Sequence, residues 1–124
     1  MENYKKAIGN FGEEEAVKYL RKKGYKILEC NFNVRGGEID IIAHKSGYVV
    51  FVEVKTRKDN TLGTGAEAVT YTKRQRIIKA AQCYLLKVGE CDVRFDVVDV
   101  TGNIENGKFL LQKINHIENA FFGG

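Results

Sequence analysis

Gly37-Glu38-Ile39-Asp40-Ile41-Ile42-Ala43-His44-Lys45-Ser46-Gly47-Tyr48-Val49-Val50-Phe51-Val52-Glu53-Val54-Lys55 is the stretch whose reading decides the fold. Two runs rich in Ile, Val and Phe flank a Ser-Gly pair, the pattern of a β-hairpin closed by a two-residue turn. With Ser46-Gly47 as that turn, Asp40 falls opposite Glu53 and Glu38 opposite Lys55. Side chains alternate along a strand, so Glu38 shares a face with Asp40, and Glu53 with Lys55. Four ionisable groups therefore collect on one patch of an otherwise apolar hairpin. The second strand is apolar on both faces at its start, which predicts a central strand buried on both sides.

Outward from the hairpin, the spacing of Ala16, Val17 and Leu20 predicts a helix from about Tyr4 to Lys23, stopped by Gly24. Tyr25 to Phe32 reads as a first strand, Arg35-Gly36-Gly37 as a turn, Glu38 to His44 and Tyr48 to Lys55 as the hairpin strands. Arg57 to Gly65 reads as a polar loop. A second helix from about Thr72, its N-cap, to Val88 carries Ile77, Ala81, Tyr84, Leu85 and Val88 on one stripe. Asp92 to Thr101 and Lys108 to Ile114 read as two further strands, joined by a turn at Asn103 to Gly107. Helix, three strands, helix and two strands imply a mixed sheet flanked by helices.

At 124 residues, with 44% hydrophobic and 29% charged, the chain is expected to be a single domain over residues 1–124. Its longest apolar run, Tyr48 to Val52, is far too short to span a bilayer, so no membrane partner is expected. Cys30, Cys83 and Cys91 are odd in number and lack CxxC spacing, which argues against a disulfide framework or a zinc site. With no apolar leader after Met1, a cytoplasmic location is expected. The formal charge of +4 resides in residues 1–58, while the rest is neutral but contains the basic cluster Lys73, Arg74, Arg76 and Lys79. Such a balance suits a nucleic-acid partner without requiring one.

Two carboxylates opposite each other in a sheet, with Cβ atoms about 5 Å apart, repel unless a cation lies between them. A divalent ion such as Mg²⁺ or Mn²⁺ answers that need, because it takes one or two protein carboxylates and completes its shell with water and phosphate oxygens. Lys55 on the same face then suits a phosphate or an attacking water. A surface ion-pair network accounts for the same four residues, and from the residues alone the two readings stand about even. Glu13 lies on the stripe of Ala16, Val17 and Leu20, where it either meets a partner beneath or reaches to water from the edge. Lys73 and Arg74 oppose the dipole at a helix start and would suit a bound phosphate. Lys73 and Arg76, one turn apart, are the leading candidates for backbone-phosphate contacts, with Arg57 and Arg35 behind them.

The chain resembles the YraN-like family of uncharacterised bacterial proteins, within the restriction-endonuclease-like PD-(D/E)xK nuclease superfamily. The resemblance is carried by Gly12-Glu13-x-x-Ala16-x-x-Tyr19-Leu20-x-x-x-Gly24-Tyr25-x-Ile27-x-x-x-Asn31, by Gly37-Glu38-Ile39-Asp40-Ile41-Ile42-Ala43 and by Phe51-Val52-Glu53-Val54-Lys55-x-Arg57. Val69-x-x-x-Lys73-x-x-Arg76-Ile77, with Ala81 and Tyr84-Leu85, extends it through the second helix. It implies a restriction-endonuclease-like αβββαβ core, with Asp40 and Glu53 as metal ligands, Lys55 as the catalytic lysine and Glu13 as a helix acid approaching the metal. Ile39 stands where the superfamily name has proline. The implied activity is Mg²⁺-dependent (or Mn²⁺-dependent) hydrolysis of DNA, including branched or damaged structures. The alternative is a non-catalytic nucleic-acid-binding or assembly module that retains the fold. A homodimer is expected only by analogy with the two-fold junction resolvases of that superfamily.

Overall fold

A computed structural model describes residues 4–58 and 69–121. The element order is α1 (Tyr4–Lys22), β1 (Lys26–Val34), β2 (Gly37–Lys45), β3 (Tyr48–Arg57), α2 (Tyr71–Val88), β4 (Asp92–Glu105) and β5 (Lys108–Ile117). One five-stranded sheet runs in the order β1-β2-β3-β4-β5, so β3 is central, as its two-sided apolar pattern requires. The β3–β4 pair is parallel and spans the α2 crossover, while the other pairs are antiparallel, giving the expected mixed sheet.

Arg57 ends a strand instead of opening a loop, and most of the loop expected up to Gly65 lies outside the described residues. Helix α2 begins earlier than expected, and its cap is Thr70 instead of Thr72. A cap needs extended backbone before the helix, and Thr70 has it at φ −67° and ψ 165°, with Oγ1 accepting from Lys73 N at 3.2 Å. Thr72 already lies inside the first turn. Strands β4 and β5 also run past their expected ends, to Glu105 and Ile117, and narrow the connecting turn to Asn106-Gly107.

Each helix covers one face. Ile39, Ile42, Val49, Phe51, Phe95 and Val97 pack toward α2 through Ile77, Ala80, Ala81 and Tyr84. Ile41, Ala43, Val50, Val52, Val98 and Val100 pack toward α1 through Ala16 and Leu20. The α2 face is rich in rings: Phe51 meets Tyr84 and Phe95 at 6.0 and 5.4 Å between centroids. Most aromatics thus serve the core. On the α1 face, β4 places Asp96 under a polar network. Its carboxylate accepts from Arg94 Nε and Nη2 (3.0 and 2.9 Å) and from Asn119 N (3.1 Å), and lies 2.7 Å from His116 Nε2. His116 thus belongs to this polar network, with Tyr19 Oη 3.3 Å from its Nδ1.

Helix α2 sits very close to the sheet at Gly37, where a Cβ would lie 2.5 Å from the Arg76 carbonyl oxygen and 2.9 Å from Ala80 N. Backbone atoms cannot step aside as a flexible side chain does. Gly37→Ala is therefore expected to cost about 1–3 kcal/mol, read as a lower urea midpoint at unchanged m. An effect of only a few tenths would show that the helix is not held at this distance.

Candidate active site

Ser46 (φ 52°) and Gly47 (φ 85°) both adopt positive φ, the signature of a type I′ turn, and the hairpin takes the expected register from Lys45↔Tyr48 to Ile41↔Val52. The ladder then stops one step before Asp40 and Glu53. Strict alternation breaks at the same place, since Ile39 and Ile42, three residues apart, both face α2. Opposite Asp40, Asn31 in β1 has φ 54° and is missing from the β1–β2 pairing between Cys30↔Ile41 and Phe32↔Ile39. The simple rule that places Glu38 and Asp40 on one face therefore does not carry across this step.

The local break is what frees the Asp40 side chain. Its Oδ2 accepts the Val54 backbone N–H at 2.8 Å, serving β3 where the regular ladder has ended. Glu53 follows Val49 and Phe51 onto the α2 face and is 4% exposed. Its Oε2 is 2.9 Å from Lys73 Nζ, and its Oε1 is buried with no hydrogen-bond donor among the described residues. The Asp40 carboxyl is near enough for its charge to act on Glu53. Burial and the Asp40 charge push the Glu53 carboxyl up to about 8, against the opposing pull of Lys73. Burial works against the Lys73 ammonium, but Glu53 holds its pKa above the ordinary value.

Glu13 projects from α1 just after Gly12, the residue whose missing Cβ lets the helix lie on Thr56 of β3. It lines a cleft of about 450 Å³ with Asn31, Cys30 and Arg21. Burial raises its carboxyl pKa, the Asp40 charge adds to the rise, an Asn31 hydrogen bond opposes it, and Glu38 adds a smaller push. Glu13 thus stands within electrostatic range of Asp40. Among the described residues no three His, Cys, Asp or Glu side chains form a group that could hold a metal.

Lys55 follows Glu53 by two along β3, beside Asp99 in the parallel register, half-buried and without an ion pair among the described residues. Arg57 is drawn to Asp99 by hydrogen bonds of 3.2 and 2.5 Å. Asp99 is 4% exposed, and nothing in its apolar strand marked it as a partner for Arg57. Arg76 is exposed on α2, and Arg35 is exposed in the β1–β2 turn, whose neighbour Gly37 touches α2. Lys73, expected to face phosphate, instead faces Glu53. The one signal of this in the sequence was its awkward place at a helix start, where a cation needs an anion nearby.

Two carboxylates are fewer than a closed protein cage supplies, but they match a hard cation that keeps most of its shell as water and phosphate oxygens. A buried carboxylate oxygen without a donor, beside a second carboxylate, is the donor set a hard cation takes. The raised Glu53 carboxyl and the nearby Lys73 ammonium both limit repulsion between the acids.

Fold and site together define an α/β protein with a paired-carboxylate centre where its central hairpin opens. The chain belongs to the uncharacterised protein family UPF0102, whose profile matches residues 12–100. It is 51% identical over 120 residues to a UPF0102 protein of Alkaliphilus oremlandii, covering 94% of this chain and 98% of the relative. A UPF0102 protein of Caldanaerobacter subterraneus subsp. tengcongensis is 49% identical over 119 residues, covering 94% of this chain and 96% of its own. One from Clostridium perfringens is 45% identical over 123 residues, covering 98% of each. No helix among the described residues is long and apolar enough to cross a membrane.

Proposed function

We propose that this protein is a divalent-metal-dependent nuclease of the restriction-endonuclease-like class, acting on DNA. The observation that carries the reading is the buried Glu53 Oε1, without a donor among the described residues, in electrostatic range of the Asp40 carboxyl. Asp40 and Glu53 would hold Mg²⁺ or Mn²⁺, with Glu13 lending negative charge from α1. Bound there, the ion supplies charge neutralisation for a phosphodiester and acidifies a water. Lys55, on the Glu53 face and without an ion pair among the described residues, orients the substrate phosphate or the attacking water. Arg76 and Arg35, both exposed, supply cations for the flanking backbone phosphates, while Arg57 is held by Asp99. A homodimer would offer two such sites to a branched duplex, and sedimentation tests that state.

Cleavage of linear, nicked and junction DNA with Mn²⁺ is the test. Asp40→Ala and Lys55→Ala are each expected to lower the rate at least about 100-fold while circular dichroism stays unchanged. Persistent cleavage by both variants removes these residues from the mechanism.

A second reading, a binding module without turnover, is favoured by the Lys73–Glu53 ion pair, which gives the acids an internal counter-charge. It predicts salt-sensitive DNA binding that is indifferent to Asp40→Ala, and no cleavage with any divalent ion.

A further inference from the structure

Of the four cations that open α2, Lys73 alone has an ion pair among those found between described residues, and that pair is lopsided. The Glu53 side chain is 4% exposed and fixed in the sheet, whereas the Lys73 side chain is 42% exposed. Its ammonium sits at the end of a flexible stem, anchored where Thr70 caps the helix. It covers Glu53 Oε2 and leaves Oε1 bare. An ammonium and a divalent ion drawn to Asp40 and Glu53 compete for the same negative charge.

We propose that Lys73 is a built-in counter-cation: it sits on Glu53 Oε2 in the metal-free protein, yields that oxygen when a divalent ion enters, and then presents its ammonium to a phosphate of bound nucleic acid. The inference rests on the metal reading above and adds an exchange step to it. Metal and nucleic acid are then positively linked, because each favours the position of Lys73 in which the other binds.

Calorimetric titration of Mn²⁺ alone into the full chain tests the exchange, with thermal melts confirming the fold of every variant. Lys73→Met removes the competitor and is expected to bind Mn²⁺ about fivefold more tightly than wild type, the scale of a partly exposed ion pair. Lys73→Gln keeps a donor for Glu53 without the charge and should show the same direction, so the test survives if the methionine variant folds poorly. With Mn²⁺ saturating, Lys73→Met should bind a short duplex more weakly, with a salt slope lower by about one. Unchanged or weakened Mn²⁺ affinity in both variants, with wild type still binding, overturns the exchange and leaves the metal site standing. No Mn²⁺ binding by wild type or either variant overturns both.

Discussion

Asp96→Ala is expected to destabilise the protein by about 3–5 kcal/mol, seen as a large fall in urea midpoint at neutral pH. Asp96 is 0% exposed and is the common acceptor for Arg94, His116 and Asn119, which come from β4, β5 and the segment after β5. The Arg94 side chain is only 12% exposed and also donates to the Tyr25 hydroxyl at 2.6 Å. Truncation would leave a nearly buried guanidinium facing its lost partner, and an uncompensated buried charge costs more than the intact pair contributes. Asp96→Asn, which keeps an acceptor oxygen, should lose less. Burial works against the Asp96 carboxylate, but hydrogen bonds from His116, Arg94 and Asn119 hold its pKa below the usual value of 3.8. A depressed acid contributes stability above its unfolded pKa and loses it as pH falls through the folded one. The network should therefore weaken in strong acid. A loss near 1 kcal/mol for Asp96→Ala would mean that water replaces the carboxylate and that the network is not closed.

Stability without added metal should fall as pH rises from about 5 to about 8, and Glu53 is the reason. Its carboxyl is lifted from 4.5 to about 8 by burial and by Asp40, so the folded state retains a proton that the unfolded chain gives up. Where the native state binds more protons, stability decreases with pH, here across the window between the two values, and levels off above the folded pKa. At about 1.4 kcal/mol per unit, with coupling to Lys73 and Asp40 blurring the step, the loss is on the order of 2–4 kcal/mol. Glu53→Gln should flatten this window relative to wild type. Millimolar Mg²⁺ should flatten it as well, since a bound ion replaces the proton between the acids. Urea titrations at several pH values, with and without Mg²⁺, check both. A wild-type curve parallel to that of Glu53→Gln would show that Glu53 ionises normally in the fold.

Much of this arrangement was legible in the chain. Ser46-Gly47 sets the hairpin register, because a two-residue turn with positive φ at both residues closes these strands, and that register runs to Ile41 and Val52, the neighbours of Asp40 and Glu53. The limits of α1, the start of β3 and its central place follow from periodicity. Strict alternation failed at Asp40, opposite Asn31, whose left-handed conformation on the neighbouring strand no hairpin rule anticipates.

The residues Lys73 and Arg57 mark the division most clearly. Their type and charge suggested phosphate contacts, whereas packing brings Lys73 to Glu53 and Arg57 to Asp99. Turn chemistry and side-chain period act over a few residues and can be read along the chain. The pairing of a buried charge depends on which distant element is folded over it. The chain by itself thus determined the order of its helices and strands, the hairpin register and the acids at its mouth. Only the tertiary structure decided which cations answer those acids and which carboxylate oxygen is left without a donor, because a dry interior enforces charge neutrality among groups that meet only after the helices have docked.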